Sequence, residues 1–217
     1  MKISVILTIV NILSVIGLLC FERNKVFWGK ATCKTIASFA FLFLALSLGA
    51  WDKGFYGKGI AISMVFCLFG DLFLLSPKEK IFKMGIASFL IGHLFYMVAF
   101  ILGQKVFSAT WMLVGLAFIT VLGKLIWTQL SKSISSDFKI PVIAYISVIS
   151  LMVISAFSVV GAGAPKVILM AALLFYFSDI AVARNRFVKE EFVNRLIGLP
   201  LYYGAQLVFA WSLSLNL

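Results

Sequence analysis

Charged side chains are scarce in this sequence, and acidic ones are scarcer still. Charged residues make up 12% of the chain and only eight are Asp or Glu, whereas hydrophobic residues make up 63%. Soluble domains contain about 25% charged residues and about 45–50% apolar residues. The composition therefore excludes a water-soluble fold and predicts a membrane protein. Because no polar stretch is long enough for a separate soluble domain, we expect one transmembrane domain over residues 1–217.

Residues that bind metals or form disulfides are also few. Cys20, Cys33 and Cys67 lie in or beside apolar runs without a CxxC pair, and His93 is the only histidine. A structural zinc ion takes about four ligands of these types, and a disulfide framework usually has an even number of cysteines. The sequence therefore favours neither a zinc site nor a disulfide scaffold.

The sequence does contain long apolar runs, and eight of them are long enough to cross a bilayer. A transmembrane helix needs about 20 predominantly apolar residues. The predicted helices cover residues 3–20, 32–49, 58–75, 83–102, 109–127, 140–160, 165–182 and 196–214. This pattern predicts an all-α fold, a polytopic bundle of about eight transmembrane helices.

Nineteen Lys and Arg residues give the chain a net charge of +11. They are scattered through the short gaps between apolar runs and form no single basic patch, so nucleic acid is not an expected partner. Most of them lie in the gaps after the first, third, fifth and seventh predicted helices. The positive-inside rule then predicts that these gaps face the cytoplasm and that both termini lie outside. A small chain without a targeting extension favours a bacterial inner membrane.

Two of the acidic residues, Asp71 and Asp179, lie inside predicted helices. A carboxylate within a bilayer costs at least about 2.5 kcal/mol, so it usually faces a partner, a cavity or a functional pathway. Each Asp lies about four residues before the predicted cytoplasmic end of its helix, which is a depth of roughly 6 Å. At equal depth the two could form one site with an acid beside a base. The alternative is a purely structural hydrogen bond between helices.

Each of the other polar residues in the predicted helices has both a functional and a structural interpretation. His93 lies near the middle of the fourth helix, where it could be a partner of the acids or a structural donor between helices. Tyr202, Tyr203 and Gln206 share one face of the last helix. Tyrosines near an interface are often only part of the aromatic belt, whereas Gln206 lies deeper in the membrane.

The spacing of these residues hints at an internal duplication. Asp71 precedes Tyr96 by about the same number of residues as Asp179 precedes Tyr203, and each pair lies on consecutive helices. Such a repeat predicts two parallel four-helix halves, an arrangement known from transporters.

Short motifs in residues 65–100 and 170–212 resemble the YhhN-like lysoplasmalogenase family of multi-pass membrane proteins. Together they cover about a third of the chain, and their order and spacing are more specific than any one of them. The motifs are Gly70-Asp71, Phe82-x-x-Gly85-x-x-x-Phe89, His93-x-x-Tyr96, Ser178-Asp179-x-x-x-Ala183-x-x-x-Phe187 and Tyr202-Tyr203-x-x-Gln206.

The resemblance implies hydrolysis of the vinyl ether bond of a lysoplasmalogen, which releases a fatty aldehyde and glycerophosphoethanolamine or glycerophosphocholine. The partners would be the lysophospholipid substrate and the bilayer, and no metal or organic cofactor is needed. Our hypothesis makes Asp71 and Asp179 the catalytic acid and base, by analogy with glycoside hydrolysis. The residues expected to bind or orient substrate or water are His93, Tyr96, Ser178, Tyr202, Tyr203 and Gln206. The candidates for contact with the phosphate are Lys80, Arg184 and Arg186, although each could simply anchor a helix end.

Three other functions fit the same residues. A small transporter or proton-coupled carrier would also use membrane carboxylates, and it predicts flux without aldehyde release. A hydrolase or transferase of another lysolipid or ether lipid would show a different substrate preference. A non-catalytic scaffold predicts that replacing the aspartates alters assembly without changing any turnover.

Overall fold

Long apolar segments fold as helices in a membrane because only a helix or a closed barrel satisfies every backbone polar group without water. The computed structural model describes residues 2–215, and within that range it contains helices, turns and short connections but no strand. The long helices are α1 (Lys2–Arg23), α2 (Phe27–Ser47), α3 (Gly54–Phe73), α4 (Glu79–Gln104), α5 (Ala109–Leu130), α6 (Ser136–Gly161), α7 (Lys166–Ala183) and α8 (Phe192–Ser212). These eight helices confirm the predicted all-α fold.

Seven of the eight helices in residues 2–215 are long and apolar enough to cross a membrane. The exception is α8, which is long enough but contains Arg195, Pro200 and Gln206 among its apolar residues. The segment that follows α7, Arg184–Val188, is a π-helical turn and extends the seventh span. On α1 and α5, large apolar side chains are widely exposed, as lipid-facing side chains must be. The chain is an integral multi-pass membrane protein.

Six helices form a closed ring, in which α2 packs on α3, α3 on α4, α4 on α6, α6 on α7, α7 on α8 and α8 on α2. The other two lie outside the ring, α1 against α2 and α8, and α5 mainly against α6. The order of packing therefore recurs in the two halves of the chain. In the first half α1 packs on α2, α2 on α3 and α3 on α4, and in the second half α5 packs on α6, α6 on α7 and α7 on α8. This recurrence agrees with the duplication expected from the sequence.

An aromatic cluster fills the ring where α4, α7 and α8 meet. At its centre the ring of Phe175 lies 4.6 Å from that of His93, 5.2 Å from that of Tyr202 and 6.1 Å from that of Tyr96, measured between centroids. Aromatic pairs at these separations contribute about 0.5–1.5 kcal/mol beyond their burial. Because Phe175 contacts both His93 and Tyr202, it fixes the spacing between the two polar groups described below.

One glycine is required for the approach of α4 to α3. A Cβ placed on Gly70 would lie 2.6 Å from a ring carbon of Phe89, which is closer than real Cβ atoms come to their neighbours. The missing side chain therefore lets Phe89 pack directly against α3, one residue before Asp71. The glycine of the Gly70-Asp71 motif thus has a packing role.

Candidate active site

One cavity is lined by both intramembrane aspartates. It lies at the end of the bundle where α3, α5 and α7 end and α2, α4, α6 and α8 begin, the end that carries most of the basic residues. It encloses about 1140 Å³ of empty space, part of which is open solvent. Most of its wall is apolar, with side chains such as Phe82, Ile86, Phe89 and Ile149, and the few polar groups are concentrated around Asp71 and Asp179.

Asp71 is almost completely buried two residues before the end of α3. Lys34 Nζ of α2 lies 3.1 Å from its Oδ1. Its Oδ2 accepts hydrogen bonds from Ser38 Oγ at 2.7 Å, from Tyr202 Oη at 2.8 Å and, more weakly, from Tyr203 Oη at 3.4 Å. Both oxygens of this buried carboxylate therefore have partners, as buried polar groups normally do.

Asp179 lies on α7 and is more accessible, with a side chain 17% exposed. Tyr145 of α6 donates to its Oδ2 at 2.6 Å, and His93 Nε2 of α4 lies 3.2 Å from the same oxygen. Oδ1 makes no side-chain hydrogen bond to any residue from 2 to 215. Unlike Asp71, Asp179 therefore has no lysine beside it and keeps one oxygen available to a ligand.

The hydrogen bonds of His93 define its protonation. Because Tyr145 donates to Asp179, His93 Nε2 must carry the hydrogen that it shares with Tyr145 Oη at 2.9 Å and with Asp179. Nδ1 is buried and finds no partner within the described residues. A hydrogen on Nε2 is thus the arrangement that matches these contacts.

The two aspartates occupy corresponding positions in the two halves. Asp71 on α3 has its partners on α2 and α8, and Asp179 on α7 has its partners on α6 and α4. In the order of the repeat, α2 matches α6 and α8 matches α4. The two carboxylates therefore have corresponding helix neighbours but different chemistry, one ion-paired with a lysine and one not.

One buried hydroxyl on the cavity wall has no hydrogen-bond partner in residues 2–215. Ser178 Oγ is inaccessible or nearly so and makes no hydrogen bond within that range. The hydroxyl of Tyr176, which also lines the cavity, has Ser150 beside it. Because buried polar groups normally find a partner, Ser178 marks a position where a water molecule or a substrate oxygen could bind.

Several predicted orienting residues lie behind the cavity wall. Tyr96 Oη donates to Gln206 Oε1 at 2.5 Å, and neither residue lines the cavity. Tyr203 also lies behind the wall, whereas Tyr202 and Ser178 line it. The structure thus brings Asp71, Tyr202 and Tyr203 together in one group and His93 and Asp179 in the other. Tyr96 and Gln206 form a separate pair.

The three predicted phosphate contacts are placed differently. Arg186 lines the cavity, and its guanidinium carbon lies 4.3 Å from the centroid of the Phe82 ring. Arg184 instead lines an adjoining cleft between α5 and α7, because a residue five positions after Asp179 falls on another side of the helix. Lys80 is exposed near the start of α4 and is not part of the cavity wall.

Sequence reasoning missed four residues that touch the site or its partners, namely Lys34, Ser38, Tyr145 and Arg195. Lys34 had a usable signal, because it lies within the predicted second helix at residues 32–49 and is as costly there as an aspartate. Tyr145 and Ser38 had none, since hydroxyl side chains are common in membrane helices.

The fold and the cavity define a class, a polytopic membrane protein with two carboxylates on one largely apolar cavity. The chain belongs to the YhhN family, since the family model with that description matches residues 29–213. This match confirms the resemblance found in the sequence motifs.

Two relatives of the chain are both named as lysoplasmalogenases. The chain is 28% identical to the lysoplasmalogenase TMEM86A of Bos taurus over 196 residues, which are 85% of this chain and 78% of that protein. It is 32% identical to the lysoplasmalogenase TMEM86B of Mus musculus over 144 residues, which are 66% of this chain and 58% of that protein. No solved structure matches the chain.

Proposed function

We propose that this chain is a lysoplasmalogenase, a membrane hydrolase that cleaves the vinyl ether bond of lysoplasmalogens. The observation that carries the proposal is the pair of unlike carboxylates on one apolar cavity. The activity named for the two mammalian relatives supports it. A cavity with apolar walls suits the single hydrocarbon chain of such a lipid, and the polar groups are clustered where a bond next to the headgroup would lie.

The chemistry of a vinyl ether requires an acid that can protonate carbon. Protonation of the double bond at the carbon remote from oxygen creates an oxocarbenium ion. Water then attacks the carbon attached to oxygen, loses a proton and forms a hemiacetal, which collapses to an aldehyde and the glycerol hydroxyl. The site therefore has to supply a proton donor, a negative charge near the cation, and a position for water.

Asp179 is the better proton donor of the two. No lysine or arginine in residues 2–215 pairs with it, and His93 and Tyr145 hold Oδ2 while Oδ1 stays available to a ligand. As the general acid, it begins the cycle with a proton on Oδ1. We assign the proton on Oδ1 to the protonation of carbon. The same oxygen then receives the proton released by the attacking water, which restores the starting state.

Asp71 is the better electrostatic stabiliser. Lys34 and the hydroxyl donors already bind both of its oxygens, so it is the poorer candidate for delivering a proton to the substrate. A fixed carboxylate on the same cavity lowers the energy of an oxocarbenium ion without any proton transfer. Ser178, whose hydroxyl has no partner within the described residues, is a candidate to hold the attacking water.

The cavity orientation follows from the charge pattern. The end of the bundle that contains the cavity also contains most of the basic residues, which favours the cytoplasmic side under the positive-inside rule. The substrate headgroup would then enter from the cytoplasm of a bacterial inner membrane, with both termini on the other side. Labelling of single cysteines placed at Ser76 and at Lys105 tests this. Labelling from the cytoplasm at Lys105 would show that the orientation is the reverse of the one proposed.

An isotope experiment tests the reaction itself. Purified protein is incubated with a lysoplasmalogen in deuterium oxide. The aldehyde is trapped immediately, and its mass is measured by mass spectrometry. We expect one deuterium on the carbon next to the aldehyde carbon, because that carbon is protonated by the enzyme. Alkyl ether and acyl lysophospholipids serve as controls and should not be cleaved. Release of fatty acid or alcohol, or flux of lipid without any aldehyde, would contradict the proposal.

A further inference from the structure

Two arginines line the cavity without an acidic partner. Arg186 follows α7 in the π-helical turn, and Arg195 lies in the first turn of α8. Neither guanidinium lies within ion-pair distance of a carboxylate in residues 2–215, whereas Lys34, the other cation of the cavity, is already paired with Asp71. Two unpaired guanidinium groups on a cavity that contains two carboxylates leave positive charge available for an anionic ligand.

The two arginines lie at the same level relative to the carboxylates. Arg186 is seven residues after Asp179, and Arg195 is seven residues before Tyr202, which binds Asp71. Because α7 and α8 are antiparallel neighbours, both spacings place the arginine about two turns, or roughly 10 Å, towards the open end of the cavity. A long arginine side chain spans much of that distance, and a glycerol unit bridges the rest.

Packing holds one of the guanidinium groups at the cavity. The guanidinium of Arg186 lies over the ring of Phe82, which itself lines the cavity. Stacking on an aromatic face orients the planar group and leaves its N–H edge free for a bidentate contact with phosphate. The nearby Arg184 lacks this position, because it lines the adjoining cleft between α5 and α7 and not the cavity itself.

We infer that Arg186 and Arg195 form a phosphate subsite that selects single-chain lipids with a phosphodiester headgroup. A phosphate bound by the two arginines places the first carbon of glycerol, and the ether oxygen on it, beside Asp71 and Asp179. The subsite thus explains both how the bond is positioned and why a phosphate-free ether lipid is a poor ligand. This inference rests on the proposed function for the identity of the lipid, but its test does not need turnover.

The test measures binding of two uncleavable ligands to the purified full chain in uncharged detergent. The ligands are 1-alkyl-glycerophosphoethanolamine and 1-alkyl-glycerol with the same chain, which differ only in the phosphate headgroup. The variants are Arg186→Gln and Arg195→Gln, with Arg184→Gln as the matched control. Arg184→Gln removes the same charge two residues from Arg186. It therefore separates an effect of the arginine's position from an effect of the protein's net charge.

We expect the wild type to bind the phospholipid analogue more tightly than the alkyl-glycerol. Each of Arg186→Gln and Arg195→Gln should weaken phospholipid binding by about tenfold, the value of one lost charge-assisted hydrogen bond. Neither should change alkyl-glycerol binding, and Arg184→Gln should change neither. Equal affinity of the wild type for both ligands, or an equal loss in Arg184→Gln, would overturn the subsite.

Hydrolysis of a lysoplasmalogen by the same preparations separates this inference from the proposed function. Arginine-dependent binding without aldehyde release would refute the proposed function and leave the subsite standing. Aldehyde release with binding that does not depend on the two arginines would refute the subsite and leave the function standing.

Discussion

Lys34 and Asp71 form an ion pair inside the membrane bundle, with Lys34 Nζ 3.1 Å from Asp71 Oδ1 and both side chains buried. Asp179, at the corresponding place in the second half, has Tyr145 in the position of a partner from the preceding helix. The same framework therefore holds one carboxylate with a lysine and the other with a tyrosine and a histidine. This difference is the basis of the separate roles that we propose for the two aspartates.

Loss of Lys34 should destabilise the fold. In Lys34→Met the buried Asp71 loses its counter-charge, and breaking such a pair from one side costs about 3–5 kcal/mol. The free energy of unfolding in lipid micelles, measured with a chemical denaturant, checks this. Lys30→Met is the control, because the pair of Lys30 with Glu22 at 3.7 Å is partly exposed and is worth at most about 1 kcal/mol.

A second replacement should recover part of that loss. Lys34→Met combined with Asp71→Asn removes both charges, so the double variant should be more stable than Lys34→Met alone. If Lys34→Met unfolds like the wild type, the ion pair does not stabilise the bundle and Asp71 must be compensated in another way.

The hydroxyl of Tyr145 should matter for turnover more than for folding. Tyr145→Phe removes the 2.6 Å hydrogen bond to Asp179 but keeps the ring against His93. If that bond positions the proton donor, kcat for aldehyde release should fall by about a hundredfold. The control is Tyr203→Phe, which loses a weaker 3.4 Å contact behind the cavity wall and should keep most of its activity. Equal activity of the two variants would remove Tyr145 from the mechanism.

The pair of Tyr96 and Gln206 should contribute to stability. Gln206→Leu leaves the buried hydroxyl of Tyr96 without its acceptor, which costs about 1–3 kcal/mol. Adding Tyr96→Phe removes the unpaired hydroxyl and should restore part of the melting temperature. Because neither residue lines the cavity, kcat of the folded double variant should stay close to that of the wild type. A large drop in kcat at normal stability would assign the pair an orienting role instead.

The close contact at Gly70 should be sensitive to a single methyl group. Gly70→Ala forces the ring of Phe89 or the whole of α4 to move, and overpacking of this kind costs about 1–3 kcal/mol. Gly204→Ala is the matched control, since no atom lies within 4 Å of the added Cβ and alanine favours the helix by up to about 1 kcal/mol. Thermal unfolding should move in opposite directions for the two variants. A shift in the same direction would mean that helix propensity outweighs packing at Gly70.

Much of the fold could be predicted because the bilayer imposes a simple rule on the sequence. Each long apolar run had to become a helix, and the eight runs correspond to α1 to α8 with shifted ends. The start of α2 at Phe27 lies five residues before the predicted start, because Lys30 interrupts the apolar pattern without ending the helix. The polar residues of α8 lowered its hydropathy in the same way.

The site could be predicted only where a residue type is costly in a membrane. Asp71 and Asp179 stood out for that reason, and Lys34 should have been included with them. Tyr145 and Arg195 could not be chosen from sequence, because whether a tyrosine or an interfacial arginine faces a cavity depends on helix rotation and on neighbours distant in the chain. Whether Arg184 or Arg186 faces the cavity depends on which side of the helix and π-helical turn each residue occupies.

The most direct test of the central claim is the rate of aldehyde release from a lysoplasmalogen by the wild type, Asp179→Asn and Asp71→Asn, each verified as folded. Asp137→Asn, at an exposed position near the start of α6, serves as the control and should be fully active. We predict that Asp179→Asn loses all measurable turnover, since it cannot supply the proton, and that Asp71→Asn retains a slow residual rate. Wild-type activity in folded Asp179→Asn would contradict the assignment of the proton donor, and wild-type activity in both aspartate variants would contradict the paired-carboxylate mechanism.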